Sequence, residues 1–424
     1  MKILIISFYF PPYNSVASIR VGKMAKYLEK FGHEVKVISA DKDPLVHDLD
    51  LEIPVKNVTY TKWFKVAPDD LQTNVQGLVA GSDQLYDLTR KCWRIFKSIV
   101  YFPDVFIGWI PYVIKAADGI LHTWKPDIIF VSVAPYSSLF AASKISAKFQ
   151  IPWVADFRDL WTDNPCYPFG GIRKIIERKM ENKVLSKAAG LCTVSEPLAQ
   201  KLKLKFKGPV GVICNGFDPN DYDLFVDSTD KNNEVKLNIV YMGTIYDDYQ
   251  DPSPLFSALK RFDKSEIKVS FYGTLSPRLR SLVKRMGIQE RVEFKDPVPY
   301  IQSLNVQKNA DILLFLLWIN TEEKGMYTGK LFEYLGSGRT ILGVGPDSDV
   351  AADLIKERNL GVILNSSDDI YSQLKRWLEE KEQKGFIPSL PVQSRHGFSR
   401  EEQAKKLEKF MQEALKKSGI LGER

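Results

Sequence analysis

Histidine is scarce in this chain, with only His33, His47, His122 and His396 in 424 residues. His33 falls at a Gly32-His-Glu-Val35 turn between a helix and a strand, and His47, His122 and His396 have no histidine or cysteine partner nearby. A histidine-based nucleophilic triad or metal centre therefore finds no support. The four cysteines, Cys92, Cys166, Cys192 and Cys214, show no short paired spacing. This argues against a zinc site or disulfide framework and suits a reducing cytoplasm. No uninterrupted apolar run reaches the ~18 residues that a membrane span needs. Met1-Lys2 leads straight into a strand-like run, without the cationic stretch and short apolar core of a signal peptide. The expectation is a soluble or peripherally bound cytoplasmic protein, at most at the inner face of a membrane. The first turn, Phe10-Pro-Pro-Tyr-Asn-Ser15, lacks the spaced glycines of a dinucleotide fingerprint, which counts against an NAD enzyme. No short repeat or low-complexity tract is present.

What remains is a chain with 44% hydrophobic and 12% aromatic residues, the composition of a globular protein. Its length allows two domains of ordinary size. Fifty-nine Lys and Arg against 52 Asp and Glu give a net charge of +7, spread along the chain. That falls short of a dedicated nucleic-acid binder, and an anionic small ligand or membrane surface fits as well.

The organisation is read from strand-length apolar runs alternating with helical ones. Lys2–Phe8, a helix at about 18–30 closed by Gly32, and Val35–Ser39 make one βαβ unit. Asp127–Val133, Trp153–Asp156, Gly190–Val194 and Val210–Cys214 extend the same sheet. The segment 216–236 is polar and turn-rich and reads as a linker. A second series follows at Leu237–Gly243, Ile267–Gly273, Val292–Phe294, Ile312–Leu317, Ile341–Val344 and Gly361–Leu364. The runs are apolar on both faces, as in parallel sheets covered on both sides. The fold class is α/β, with two doubly wound domains in tandem. The domains take residues 1–215 plus about 396–424, and 237–395. An amphipathic helix at about 400–417 closes the chain.

Thr328-Gly-Lys-Leu-Phe-Glu333-Tyr-Leu-Gly-Ser-Gly338 sits between two strand runs, where a loop and helix start face the ligand side of such a sheet. Free N–H groups and the helix dipole attract phosphate there. Lys330 adds a mobile cation, and Glu333 could accept from two adjacent hydroxyls, as on a ribose. The simpler alternative is a solvated i, i+3 ion pair contributing about 0.2–0.5 kcal/mol. Gly243-Thr244 and Gly273-Thr274 end strands with bare backbone that allows close approach to phosphate or sugar, although a glycine in that place is usually just a turn. Asp156-Phe-Arg158-Asp159 lies beyond another strand end, where Arg158 and Asp159 could stabilise charge or orient a hydroxyl. A structural salt-bridge cluster is the alternative. Asn14 and Ser15, with Arg20 and Lys23 on the following helix, would face a cleft and could meet an anion, or else be solvated. Asp247, Asp248 and Asp251 could hold a cation or simply be solvated.

Taken together these residues resemble the family 4 glycosyltransferases, whose GT-B fold has two facing Rossmann-like domains. The resemblance runs over nearly the whole chain. It is carried by Phe10-Pro-Pro12 and Arg20, Gly32-His-Glu-Val35, Asp156-Phe-Arg-Asp-Leu-Trp161, Thr193-Val-Ser-Glu196, Asn215-Gly-Phe-Asp218, Tyr241-Met-Gly243 and Gly329-Lys-Leu-Phe-Glu-Tyr-Leu335. It looks most like the branch that builds capsule, exopolysaccharide or lipopolysaccharide. The resemblance implies retaining transfer from a nucleoside diphosphate sugar, no cofactor and no obligatory metal. The donor would lie on the second domain, with Glu333 on the ribose, Lys330, Gly329 and Thr328 at the phosphates, and Val298 by the base. The acceptor would meet the first domain, and the last helix would cross back to it. Two features depart from the family pattern. A second glutamate common eight positions before Glu333 is Gly325 here, and Tyr246-Asp-Asp-Tyr-Gln250 stands where a basic pair is usual. Lys330, Arg278, Arg280 or a cation on the aspartates would have to meet the diphosphate.

Cations interleaved with aromatics from Lys91 to Lys97, continuing through Tyr101 to Trp109, suit a membrane interface and a lipid-linked saccharide acceptor. Core packing is the alternative for the aromatics. Competing functional readings are a nucleotide-sugar epimerase or hydrolase on the same fold, and a non-catalytic binding partner.

Overall fold

Each of the apolar runs becomes a parallel strand in the computed structural model. The structure describes residues 1–42, 51–64, 102–164, 167, 169–223, 236–273, 277–319, 325 and 327–417. The chain groups into two units. One takes in Met1–His47, Glu52–Ile213 and Lys406–Arg424, and the other chiefly Cys214–Lys405.

The first unit holds a seven-stranded sheet of β1 (Lys2–Ser7), β2 (Glu34–Ala40), β3 (Val58–Thr61), β4 (Ile128–Val133), β5 (Trp153–Phe157), β6 (Gly190–Thr193) and β7 (Val210–Val212). The order is β3-β2-β1-β4-β5-β6-β7. The polar Val-Thr-Tyr-Thr of β3 is an edge strand beyond the reach of the apolar-run signal. Residues of β1 alternate between two cores, with Leu4 and Ile6 on one face and Ile3 and Ile5 on the other. Burial on both faces explains why its sequence reads as an uninterrupted apolar run.

The second unit repeats the plan with β8 (Leu237–Met242), β9 (Ile267–Tyr272), β10 (Val292–Lys295), β11 (Ile312–Leu316), β12 (Thr340–Val344) and β13 (Gly361–Leu364), ordered β10-β9-β8-β11-β12-β13. The direction of winding reverses between β8 and β11, so the ligand crevice is expected beyond their carboxyl ends. Ile312, Leu314 and Leu316 face one core; Leu313, Phe315 and Leu317 face the other.

The start of the segment read as a linker is instead part of this unit. Phe217 bridges to Ser399, Pro219–Tyr222 is a short helix, and Asp221 and Tyr222 are buried. Proline at the first helical position and the Asp218 carboxylate capping Asn220 N–H supply the local reason. Residues 224–235 of that segment lie outside the described residues. The last helix, Arg400–Lys417, belongs to the second unit through Lys405 and to the first from Lys406. Its Leu407, Phe410, Met411, Ala414 and Leu415 pack with Ile3 and Ile5. A Cβ on Gly190 or on Gly211 would stand 2.8 Å from the Phe410 ring, so glycine lets the ring sit down on β6 and β7. Among the described residues no helix is long and apolar enough to cross a membrane.

Candidate functional site

The site in the second unit is built from strand ends. Gly243 follows β8 with φ +100° and Gly273 follows β9 with φ +132°, both backbone conformations that favour glycine. A Cβ on Gly273 would lie 2.7 Å from the Gly243 carbonyl oxygen, and one on Gly243 would lie 3.5 Å from Lys330 Nζ. Two stretches of bare backbone and one ammonium are thereby brought together, with the start of helix Gly329–Ser337 beside them. Thr328 occupies the N-cap of that helix, yet its hydroxyl makes no capping bond and, among the described residues, has no hydrogen-bond partner. A buried hydroxyl left without a partner costs about 1–3 kcal/mol, which a ligand oxygen would recover.

Lys330 Nζ donates to the Tyr241 hydroxyl at 2.6 Å and stands 3.9 Å from the centre of that ring. Burial pulls its pKa from 10.5 down to about 7, with the Glu333 charge opposing. The ammonium is thus only half populated near neutrality until an anion arrives. Glu333 follows one turn along the same helix. Burial raises its pKa, against a Gln307 hydrogen bond and the Arg400 and Lys330 charges. Gln307 Nε2 donates to Glu333 Oε2 at 3.2 Å, and the Tyr222 hydroxyl donates to the Glu333 carbonyl at 2.8 Å. Tyr300 donates to Asp221 at 3.2 Å in the same neighbourhood. Gln307 thus holds the carboxylate itself and Tyr222 holds the backbone of the same residue, which positions an acceptor for hydroxyls.

Other residues singled out from the sequence fall around this centre. Thr244 is exposed and its carbonyl accepts from Tyr241 at 3.0 Å. Val298 lies in the loop after β10, packed against the core. Arg278 is tied to the acidic loop, 3.9 Å from Asp248 and 3.4 Å from the Asp247 carbonyl, and Arg280 lies over Phe294. Gly325 is buried, and Thr274 lies outside the described residues. The Tyr246–Gln250 loop is an aromatic turn. Tyr249 stacks on Trp318 at 5.0 Å, and Gln250 donates to the Leu316 carbonyl at 2.9 Å.

The first unit corrects several expectations. Asp156 and Arg20 are fully buried partners, joined by two bonds of 2.8 Å, with a third from Arg20 to the Ile213 carbonyl at 2.7 Å. Neither can touch an acceptor, because both side chains are sealed inside the sheet and helix layer. They form the structural ion pair, while Arg158 and Asp159 remain partly exposed beyond β5. Arg158 donates to the Val133 and Ala134 carbonyls at 3.1 and 2.9 Å, bracing the ends of β4 and β5, and burial lowers its pKa. Lys23 is buried as well. Ser15 is the N-cap of helix Val16–Lys30 and accepts from Ser18 N–H, and Asn14 beside it is partly exposed. Trp109 is a core residue with no exposure, its indole N–H donating to Thr61 at 2.8 Å, so it is not on an acceptor surface. Phe106 likewise joins a ring cluster, 4.5 Å from Phe8 and 5.7 Å from Trp63. The Lys91–Lys97 stretch lies outside the described residues.

Gln307, Tyr222 and the supporting role of Tyr241 carried no sequence signal of their own. Tyr241 stood in the Tyr-Met-Gly element, but nothing in the chain announced that Lys330 would lie across its ring.

Residues 17–221 match the model of Glycosyltransferase Family 4. Among curated proteins nothing matches by sequence. Several solved structures share the fold. The chain aligns with Alr3699/HepE of Anabaena, solved in complex with UDP, at TM-score 0.63 and 13% identity, covering 97% of this chain and 100% of that one. A lipopolysaccharide outer core galactosyltransferase, WaaB, aligns at TM-score 0.55 and 14% identity over 97% and 99%. A UDP-N-acetylglucosamine 2-epimerase aligns at 0.55 and 15% over 100% and 98%. With two parallel doubly wound sheets and these structural matches, the chain has the GT-B fold, and its residues 17–221 are similar to the family 4 glycosyltransferases.

Proposed function

We propose that this transferase moves a sugar from a nucleoside diphosphate sugar, with retention, to a hydroxyl of a lipid-linked saccharide in capsule, exopolysaccharide or lipopolysaccharide synthesis. The observation that carries the donor half is the joining of Gly243, Gly273 and Lys330 at the start of a helix that also bears Glu333. Helix N–H groups and the charged form of Lys330 meet the diphosphate. Glu333, held by Gln307, accepts from the ribose hydroxyls. UDP is the first donor nucleotide to try, since HepE was solved with it. The lipopolysaccharide neighbour WaaB supports the pathway by likeness of fold.

In the reaction the anomeric C–O bond to the diphosphate breaks and a C–O bond to the acceptor oxygen forms on the same face. The acceptor proton passes to the departing phosphate oxygen. Negative charge grows on that diphosphate, and donors already aimed at it lower the barrier. Lys330, the Thr328 hydroxyl and the helix N–H groups fill that role, with no divalent metal required. Arg158 and Asp159, partly exposed beyond β5, are the residues assigned to the acceptor side.

The test is a panel of nucleoside diphosphate sugars scored by thermal stabilisation of the wild type and of Glu333→Ala. A donor at 100 times its dissociation constant adds about 2.7 kcal/mol. One donor that raises the melting temperature of the wild type alone supports the reading. Turnover of that donor with an acceptor in EDTA then supports metal independence. Free sugar or an epimer formed without acceptor would replace transfer by hydrolysis or epimerisation.

A further inference from the structure

Helix Gly171–Leu185 leads from β5 to β6 and separates its charges by sign in an unusual way. Its only acids, Glu177 and Glu181, are buried at 1% and 0% exposure. Glu177 accepts from Trp161 at 2.8 Å, Tyr167 at 2.7 Å and Arg173 at 2.6 Å, and Glu181 accepts from Lys205 at 2.8 Å and from Thr162. The outward side keeps only bases. Arg178, Lys179, Lys183 and, just past the helix end, Lys187 are exposed. Arg178 has Asp163 at 3.9 Å, a distance that leaves a weak surface pair.

On that same outward side are Ile172, Ile175 and Ile176, exposed by 79%, 58% and 47%. The spacing 172, 175, 176, 179, 183 follows one helical stripe. Three isoleucines open the stripe and two lysines continue it. An ordinary solvated helix would show water its acids and hide its isoleucines, and this one does the reverse. Clustered exposed aliphatics mark a contact surface, and the single sign of the surrounding charge selects an anionic partner.

We propose that this stripe docks the protein on an anionic lipid surface, the isoleucines entering the head-group boundary and the lysines meeting lipid phosphates. Amphipathic helices with a basic polar face bind membranes in this manner. The helix begins on the side of the sheet where the strands end, which is where α/β sheets receive ligands. Docking stands on charge and exposure alone; its use in presenting a lipid-linked acceptor rests on the function proposed above.

The experiment is cosedimentation of the full-length protein, without donor, on phosphatidylglycerol–phosphatidylcholine vesicles and on phosphatidylcholine alone. The wild type is expected to bind the anionic vesicles and to leave the neutral ones. Lys179→Gln with Lys183→Gln should weaken partition about thirtyfold, from about 1 kcal/mol for each base near an anionic leaflet. Ile172→Ser, Ile175→Ser and Ile176→Ser together should also release the protein. All these side chains are exposed, so both variants should keep the wild-type melting temperature and UDP affinity. Absence of wild-type binding, or binding unchanged in both variants, would overturn the proposal. So would a concentration-dependent dimer abolished by the isoleucine substitutions, because the stripe would then be a protein interface.

Discussion

Lys330 is the group through which pH should reach the donor site. Burial first, and little else, holds its pKa at about 7 in place of 10.5. One pH unit above its pKa an amine keeps about a tenth of its proton, so at pH 8 the free site is about nine-tenths neutral. A diphosphate next to Gly243 favours the charged form and lifts the pKa again. Binding should therefore draw in about 0.9 proton at pH 8, about 0.5 at pH 7 and about 0.1 at pH 6. Because the complex holds the extra proton, donor affinity should fall as pH rises above 7, by up to about tenfold per unit. The folding equilibrium moves the other way. The unfolded chain keeps this proton up to 10.5 and the folded one loses it near 7, so stability from this group rises with pH between those values. Titration calorimetry of UDP in buffers of different ionisation enthalpy reads the proton count directly. Lys330→Arg, charged throughout, should bind with uptake close to zero. Tight wild-type binding at pH 8 with no uptake, or equal uptake in Lys330→Arg, would refute the reasoning.

Gly273→Ala should cost the second unit about 1–3 kcal/mol for a backbone that favours glycine, and more from the 2.7 Å approach to the Gly243 carbonyl; calorimetric melting reports it. Asp156→Ala strands the buried Arg20 charge and should cost about 3–5 kcal/mol, lowering the melting temperature by about 10 °C or more while UDP affinity is kept. A large loss of affinity in the folded variant would return Asp156 to the site. Gln307→Ala removes the hydrogen bond that steadies Glu333 and should weaken donor binding by about 1.5–3 kcal/mol, measured by calorimetry at pH 7. Phe410→Ala should destabilise the first unit by about 3–5 kcal/mol in denaturant unfolding, since its ring is seated between two glycines.

The two sheets were legible because their strands are buried on both faces and so appear as plain apolar runs. The edge strand β3, with two of its four residues exposed, gave no such run. In the second unit, glycines at strand ends and a lysine in the first turn of a helix mark a location, because topology dictates where strand ends lie. Asp156 misled for the same reason that it caught the eye. A carboxylate near a strand end suits chemistry, and its partner Arg20 is 136 residues away in sequence, a separation that no local pattern reports. Trp109 and Phe106 were ambiguous between interface and core, and packing on Phe8 decided for core. Gln307 was out of reach, since only the folded register turns it toward Glu333.

The seating of Phe410 on β6 and β7 bears on the order in which the chain acquires its structure. Ile3 and Ile5 leave the ribosome long before part of their cover, which lies some 400 residues later, from Leu407 onward. Until Leu407 to Leu415 leave the ribosome, one face of the first sheet has no complete cover, although every described strand of both sheets has already been made. The second unit, whose strands span Leu237 to Leu364, can mature inside that interval. The amino-terminal unit is thus the last to be finished, a reversal of the usual vectorial order. A nascent chain stalled just before Lys406 would hold a completed second sheet and an open first one, a natural client for chaperones.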